Sequence, residues 1–132
     1  MRDWFQAGPS VYGGCYPSSF PPGVDFVIDL TEEGELLPYP CEGVEHRRMA
    51  ISDFSTPTTE EMVRILDTMD EALAGGHIVL VHCRSGIGRT GTVIGCHLRR
   101  HGHSVEDTFA WLEGRPETEE QAEMIRAWEP GK

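Results

Sequence analysis

The clearest helical pattern in the chain lies in residues 58–74. Its apolar residues recur at intervals of three and four, which places them on one face of a helix. They are Met62, Ile65, Leu66, Met69 and Leu73. Thr58 and Glu61 have the spacing of a capping box, and Gly75 and Gly76 follow as a helix end. We therefore predict a helix over residues 58–74 with one buried face.

Three further segments with helical patterns lie closer to the C-terminus. They are residues 88–101, 104–113 and 118–128. Ser104 and Thr118 are residue types preferred at helix N-caps. Thr118 and Gln121 also have capping-box spacing. The second half of the chain is therefore predicted to be mainly helical.

Short segments without helical periodicity predict strands at Val11–Gly14, Phe26–Leu30, Val44–Ile51 and Ile78–Val81. The third of these segments contains a basic patch, His46-Arg47-Arg48. The run at 78–81 is rich in β-branched residues and fully apolar, as expected of a strand at the centre of a sheet. The order of elements predicts an α/β fold with a central, mostly parallel, twisted sheet flanked by helices. The 132 residues contain no repeat or linker, so we expect a single domain over 1–132.

The chain is strongly acidic, with a formal net charge of -11 at pH 7. This charge disfavours general binding to nucleic acid or to anionic membranes, because both need clustered Lys and Arg. No apolar run has the length of a membrane span, and the N-terminal residues lack the apolar core of a secretion signal. We expect a cytoplasmic protein without nucleic-acid or membrane partners. An acidic body still allows one local site for a small anion.

Cysteine and histidine spacing gives no recognised metal motif. The four cysteines show no CxxC pattern and are expected to be reduced thiols. His97 and His101 lie one helical turn apart, with His103 just beyond, a spacing that zinc can use. No cysteine or carboxylate close by in the sequence completes such a site. We therefore predict a solvated basic helix end, with no metal site and no cofactor.

Residues 79–91 combine an apolar strand, a glycine-bearing loop and the start of a helix. Such a loop directs successive backbone N–H groups into a concavity, with the N-terminus of the helix behind it. Glycines let the backbone approach an anion closely. We predict a site for a phosphate-like anion, formed by the backbone of Arg84, Ser85, Gly86, Ile87 and Gly88.

Cys83 stands at the mouth of this predicted anion site. The N–H groups and a nearby arginine favour the thiolate, which is the nucleophilic form of cysteine. Arg89, six positions later, offers a planar fork of donors that matches two oxygens of a phosphate. The segment therefore predicts an ionised nucleophile beside a bound phosphate.

The motif His82-Cys83-x5-Arg89-Thr90-Gly91 resembles the active-site motif of the protein tyrosine phosphatase superfamily. The chain is most similar to the small, single-domain, atypical dual-specificity phosphatases, and the resemblance covers about residues 24–128. It also includes the segments Ile28–Gly34, Ile51–Pro57 and Glu117–Gln121. The resemblance implies the fold of a cysteine-dependent phosphatase.

The resemblance also implies roles for the motif residues. Cys83 would attack phosphorus and form a cysteinyl-phosphate intermediate. Arg89 would hold the equatorial phosphate oxygens and stabilise the transition state. Thr90 would donate a hydrogen bond to Cys83 as it leaves in the second step. His82 would order the loop and help to maintain the thiolate.

A general acid is needed to protonate the leaving oxygen. Asp53 lies thirty positions before Cys83, on a loop between a strand and a capped helix, where the family places its mobile acid. As a carboxylate, Asp53 would then activate the hydrolytic water. Gln121 matches a family position that helps to place this water, although its capping-box spacing gives it an equal structural alternative.

The predicted function is hydrolysis of phosphotyrosine, and of phosphoserine and phosphothreonine, in a phosphorylated protein or phosphopeptide. A phosphoinositide or another small phosphomonoester is an alternative substrate. It is disfavoured because only Arg84 adds charge between Cys83 and Arg89. A non-catalytic phosphate-binding module is disfavoured because cysteine, arginine and acid are all present. A thiol redox or sulfur-transfer protein would need neither Asp53 nor Thr90.

Overall fold

The computed structural model describes residues 4–36, 38–39 and 41–132. The strands in these ranges are β1 (Trp4–Gly8), β2 (Val11–Gly14), β3 (Phe26–Asp29), β4 (Glu45–Arg48) and β5 (Val79–His82). The helices are α1 (Thr59–Ala74), α2 (Gly88–Arg100), α3 (Val105–Leu112) and α4 (Glu119–Ala127).

The strands form one sheet in the order β1-β2-β5-β3-β4. All neighbours are parallel except β1, which pairs with β2 as an antiparallel edge. The predicted α/β fold with a mostly parallel sheet is therefore confirmed. Strand β5 lies at the centre and all its residues are buried, as its apolar sequence predicts.

Strand β1 was not predicted, and β4 is shorter than predicted. Strand β1 is a short edge strand that gains its hydrogen bonds from β2 across a tight turn. Strand β4 spans Glu45–Arg48 rather than 44–51, and all four residues are exposed. The chain continues beside β3 after β4 ends, since Met49 N–H donates to the Asp29 carbonyl and Ile51 N–H to the Leu30 carbonyl.

The two faces of the sheet bury different residues, because successive side chains of a strand point to opposite faces. Val79 and Val81 belong to the larger core, together with the buried residues of all four helices. Leu80 belongs to a smaller cluster with Tyr12 and Val27. This cluster is covered by Trp4, Phe20, Val24, Val44 and Ile78. Among the described residues, the helices therefore flank one face of the sheet.

The predicted helix caps are confirmed. Thr58 and Glu61 form a complete capping box at α1, and Thr118 and Gln121 form another at α4. The Ser104 hydroxyl accepts a hydrogen bond from the Asp107 N–H at the start of α3. These caps satisfy backbone donors that the first helical turn leaves without partners.

Helix α2 carries the loop at its N-terminus and is buried from Gly88 to Leu98. It packs against the sheet and against α1, α3 and α4. Gly95 permits the close approach of α4, since a Cβ there would lie 2.5 Å from Ile125 Cδ1. The start of α2, and the loop before it, are thus held by packing on several sides.

All four cysteines are free thiols, as predicted. Within the described part of the chain, no helix combines the length and the apolar character that crossing a bilayer requires.

Candidate active site

Cys83 directly follows the central strand β5 and is almost fully buried, with 1% of its surface exposed. Its Sγ accepts hydrogen bonds from Gly86 N–H at 3.3 Å and from the Thr90 hydroxyl at 3.0 Å. Thr90 Oγ1 also lies 3.1 Å from the Gly14 carbonyl oxygen, so its single hydrogen serves one acceptor at a time. These two donors are positioned to stabilise negative charge on the sulfur.

The loop from Cys83 to Gly88 turns sharply at Gly86, which has a φ of 75°. A Cβ at Gly86 would lie 2.7 Å from the Cys15 backbone nitrogen, so both the conformation and the space require glycine. The side chains of Arg84, Ser85 and Ile87 are exposed. The loop therefore rests against β2 on one side and faces solvent on the other.

Arg89 is buried behind the loop, with 1% of its surface exposed. Its Nη1 donates to the Ile51 carbonyl at 3.0 Å and lies 3.4 Å from the Leu30 carbonyl oxygen. Glu35 pairs with the two terminal nitrogens, at 2.9 Å from Nη1 and 2.5 Å from Nη2. Arg89 Nε has no hydrogen-bond partner in the described part of the chain. A buried donor without a partner costs free energy, and a phosphate oxygen would satisfy it.

Glu35 was not predicted as a site residue. Hydrogen bonds from Arg89 hold the pKa of its carboxyl below the usual range, so Glu35 is ionised near neutral pH. In the sequence it is one of several acidic residues after β3, and its pattern does not distinguish it from Glu32 or Glu33. Its partner lies 54 positions away, so local pattern carries no signal for the pair.

Asp53 lies on the loop between β4 and α1, at the boundary between the site and solvent. Its Oδ1 is 3.4 Å from Arg89 Nη2 and accepts a hydrogen bond from the Phe54 N–H at 3.0 Å. The side chain is 34% exposed. Phe54 has a φ of 63°, an uncommon conformation for a residue other than glycine, and its ring is exposed. The structure therefore brings the predicted acid beside the predicted phosphate clamp.

His82, which directly precedes Cys83, is fully buried. Its Nδ1 lies 3.3 Å from the Cys83 carbonyl oxygen, and its Nε2 lies 2.5 Å from the Tyr39 hydroxyl. A carbonyl can only accept, so Nδ1 carries the proton and Nε2 accepts from Tyr39. Burial lowers the pKa of His82, which favours this neutral imidazole. The contact to Cys83 agrees with the predicted role in ordering the loop.

Gln121 is fully buried and forms part of the α4 cap. Its Oε1 accepts hydrogen bonds from the backbone N–H groups of Glu117 and Thr118, each at 3.0 Å. Its Nε2 donates to the Ser55 carbonyl in the acid-bearing loop at 3.3 Å. A Cβ at Gly88 would lie 3.2 Å from both amide atoms. The capping interpretation is confirmed, while water placement by Gln121 stays a prediction.

Arg115 is a second residue that sequence reasoning missed. Its Nε donates to the Gly86 carbonyl at 2.9 Å, and its guanidinium lies 3.9 Å above the ring of Phe5. This hydrogen bond fixes the carbonyl group of Gly86 within the loop. The segment before α4 gave no sign of this contact, because Gly86 is 29 positions away.

The mouth of the site is an open cavity of about 420 Å³ that is strongly acidic. It is lined by Glu32, Glu33, Gly34, Glu35, Asp53 and Arg84. Four carboxylates face one guanidinium at this rim. The positive potential that an anion would meet is therefore confined to Arg89, Arg84 and the backbone N–H groups of the loop.

A family model described as "Polymorphic toxin system, DSP-PTPase phosphatase" matches residues 20–103. The human dual specificity protein phosphatase CDC14C is 37% identical over 71 residues, which are 53% of this chain and 15% of that protein. The chain thus spans only a small part of this relative. The crystal structure of Tk-PTP in the active form superposes with a TM-score of 0.85 at 29% identity, covering 96% of each chain.

A more distant structure, PTPMT1 in complex with PI(5)P, superposes with a TM-score of 0.81 at 21% identity and covers 96% of this chain and 94% of that one. At this identity the similarity concerns the fold alone. The family match, by contrast, covers more than half of the chain and includes Cys83 and Arg89. The chain therefore belongs to the DSP-PTPase phosphatase family of the protein tyrosine phosphatase superfamily.

Proposed function

We propose that this phosphatase hydrolyses phosphotyrosine, and also phosphoserine and phosphothreonine, in protein substrates through a cysteinyl-phosphate intermediate. Cys83 is the nucleophile, Arg89 the phosphate clamp and Asp53 the general acid. The observation that carries this proposal is the arrangement at Cys83 Sγ. Two donors point at the sulfur, and the buried Arg89 keeps Nε without a partner among the described residues.

The first step transfers the phosphoryl group to sulfur. The Cys83 thiolate attacks phosphorus, and the bond between phosphorus and the leaving oxygen breaks. Asp53, as the carboxylic acid, gives its proton to that oxygen. Arg89 Nε and the loop N–H groups hold the equatorial oxygens, where negative charge must be stabilised. Glu35 and the two backbone carbonyls fix the guanidinium, so it need not reorganise during the reaction.

The second step releases phosphate. Asp53, now a carboxylate, takes a proton from a water molecule that attacks phosphorus. The sulfur leaves as a thiolate, and the Thr90 hydroxyl donates to it. This hydroxyl has an alternative acceptor in the Gly14 carbonyl, 3.1 Å away, so it is positioned before the charge appears.

The shape and charge of the mouth support a protein substrate. Phe54 and Ile87 are exposed apolar side chains beside the acid and within the loop, and they can contact the apolar part of a phosphorylated residue. The acidic rim repels ligands that carry several negative charges. Peptides with basic residues near the phosphorylated side chain would instead be attracted.

Hydrolysis of para-nitrophenyl phosphate over a range of pH tests this mechanism. We expect a bell-shaped profile for the wild type and no turnover by Cys83→Ser. Asp53→Asn should lower kcat about 10²- to 10⁴-fold at the pH optimum. Its pH profile should also lack the limb that depends on a protonated general acid. Cys41→Ser, a matched thiol substitution away from the loop, should retain activity. Turnover by Cys83→Ser at the wild-type rate would exclude this mechanism.

A phosphoinositide substrate is the second candidate, because a structure with the same fold is in complex with PI(5)P. A comparison of kcat/KM for phosphotyrosine and phosphoserine peptides with that for soluble PI(5)P separates the two. The acidic rim predicts a preference for the peptides, most of all for those with neighbouring Lys or Arg. A higher kcat/KM for PI(5)P would assign the enzyme to lipid substrates.

A further inference from the structure

A cluster of possible metal ligands lies at the C-terminal part of α2, away from Cys83. His97 lies near the end of α2 and His101 is the C-cap residue of this helix, while Asp70 reaches both from α1. Asp70 Oδ1 is 2.8 Å from His101 Nε2 and 3.9 Å from His97 Nδ1. One ligand atom from each residue lies within 4.8 Å of the other two.

His97 is an unusual member of this cluster because it is both buried and unsatisfied. Its side chain is only 8% exposed, and its Nδ1 has no hydrogen-bond partner in the described part of the chain. This nitrogen lies 3.9 Å from the carboxylate oxygen that His101 contacts. An imidazole nitrogen that carries no proton can offer its lone pair to a metal ion.

We propose that Asp70, His97 and His101 form a binding site for a divalent transition-metal ion, with zinc as the best fit. The ligand atoms are His97 Nδ1, His101 Nε2 and Asp70 Oδ1. Zinc binds imidazole nitrogen and carboxylate oxygen at about 2.0–2.2 Å, so the ligand atoms of a tetrahedral site lie about 3.3 Å apart. The observed separations of 2.8 and 3.9 Å lie on either side of that value.

The surroundings of the cluster hold the carboxylate in place. Arg100 Nη1 donates to Asp70 Oδ2 at 3.0 Å and to Asp67 Oδ1 at 2.9 Å. This leaves Asp70 Oδ1 to the two histidines. Hydrogen bonds to the second oxygen of a ligating carboxylate are a regular feature of metal sites. The positive charge of Arg100 disfavours a bound cation, but the negative charge of Asp67 offsets this repulsion.

A fourth coordination position is accessible. A surface cavity of about 310 Å³ is lined in part by His97, His101 and His103, so water or a mobile side chain can reach the metal. The site also links α1 to α2, whose other end begins at the catalytic loop. Arg89 and His97 are eight residues apart on α2, or about 12 Å at 1.5 Å per residue, so the site is separate from the phosphate site.

The sequence predicts no metal site because no third ligand lies close to His97 and His101 along the chain. The structure supplies that ligand from another helix, 31 positions before His101. Two histidines at helical spacing are visible in the sequence, whereas the packing of α1 against α2 is not.

Calorimetric titration of zinc chloride into the metal-free full chain tests the proposal. The Cys83→Ser background removes the reactive thiolate, which would otherwise compete for zinc. We expect one zinc ion per chain, with shifts of the His97 and His101 imidazole resonances in NMR spectra. His101→Gln replaces a half-exposed side chain and should weaken binding at least about tenfold without loss of folding. Asp70→Asn should have a similar effect.

His77→Gln is the matched control. His77 also pairs with a carboxylate, that of Asp25, but it does not belong to the cluster of Asp70, His97 and His101. This substitution should leave zinc affinity unchanged. Zinc should also raise the Tm of the parent chain but not that of His101→Gln. The proposal is overturned if no zinc binds, if His101→Gln binds zinc as tightly as its parent, or if only cysteine resonances respond.

Discussion

In the proposed mechanism, the Arg89 guanidinium has a structural role as well as a catalytic one. Its terminal nitrogens donate hydrogen bonds to Glu35 and to the carbonyls of Ile51 and Leu30. Its Nε has no hydrogen-bond partner among the described residues. Removing one member of a buried ion pair leaves the other charge uncompensated. In the proposed mechanism, Glu35 therefore positions the Arg89 guanidinium.

Glu35→Gln should lower kcat/KM by about tenfold to a hundredfold, because a misplaced guanidinium no longer matches the transition state. Steady-state kinetics with para-nitrophenyl phosphate measure this loss. Glu33→Gln, at a second acidic residue of the same rim, is the matched control and should stay near the wild-type rate. Equal rates for Glu35→Gln and wild type would show that Arg89 needs no ion pair to hold its place.

At the scale of elements, the strand β5, the loop and helix α2 form one unit that presents Cys83 and Arg89 together. The unit is braced from outside by β2 at Gly86, by Arg115 at the Gly86 carbonyl and by Gln121 near Gly88. The loop conformation thus depends on contacts from segments distant in sequence.

Gly86→Ala should therefore abolish most activity. A Cβ at Gly86 meets backbone atoms at 2.7 Å and requires a φ that residues with a side chain rarely adopt. We expect a folded protein with a displaced loop, because strand and helix do not depend on this residue. Activity and circular dichroism of Gly86→Ala and of the exposed Gly131→Ala would be compared. Normal turnover by Gly86→Ala would contradict the described loop geometry.

Much of the fold could be predicted from the sequence, since many of its structural signals are local. The apolar run of β5, the glycines and the caps at Thr58, Ser104 and Thr118 all act within a few residues. The contacts of Glu35, Arg115 and Asp70 could not be predicted, because each joins residues far apart in the chain. Strand β1 was missed for a related reason, since an edge strand depends on the strand beside it.

At the scale of the whole molecule, buried ionisable groups make stability depend on pH. Burial lowers the pKa of His82 from 6.5, and it lowers that of His97 to about 4. Below about pH 6.5 the unfolded chain binds protons that the folded chain does not, so stability falls with falling pH. The lowered pKa of Glu35 has the same sign, and its contribution is lost as pH falls below about 4.5.

The free energy of unfolding should therefore decrease from about pH 7 to about pH 5. The slope should reach about 1.4 kcal/mol per pH unit for each buried histidine. Urea titrations at several pH values, with a chelator present, measure this dependence. His82→Gln should show a shallower slope than wild type. A free energy that is constant over this range would mean that neither histidine has a lowered pKa in the folded protein.

The proposed mechanism depends on a cysteinyl-phosphate intermediate. The most direct measurement is rapid acid quenching of the enzyme with a phosphotyrosine peptide, followed by mass spectrometry of the Cys83 peptide. We expect this peptide to gain the mass of one phosphoryl group during turnover in the wild type and to stay unmodified in Cys83→Ser. An unmodified Cys83 peptide in a wild-type enzyme that is turning over, with the intermediate stable to the quench, would contradict a cysteinyl-phosphate mechanism.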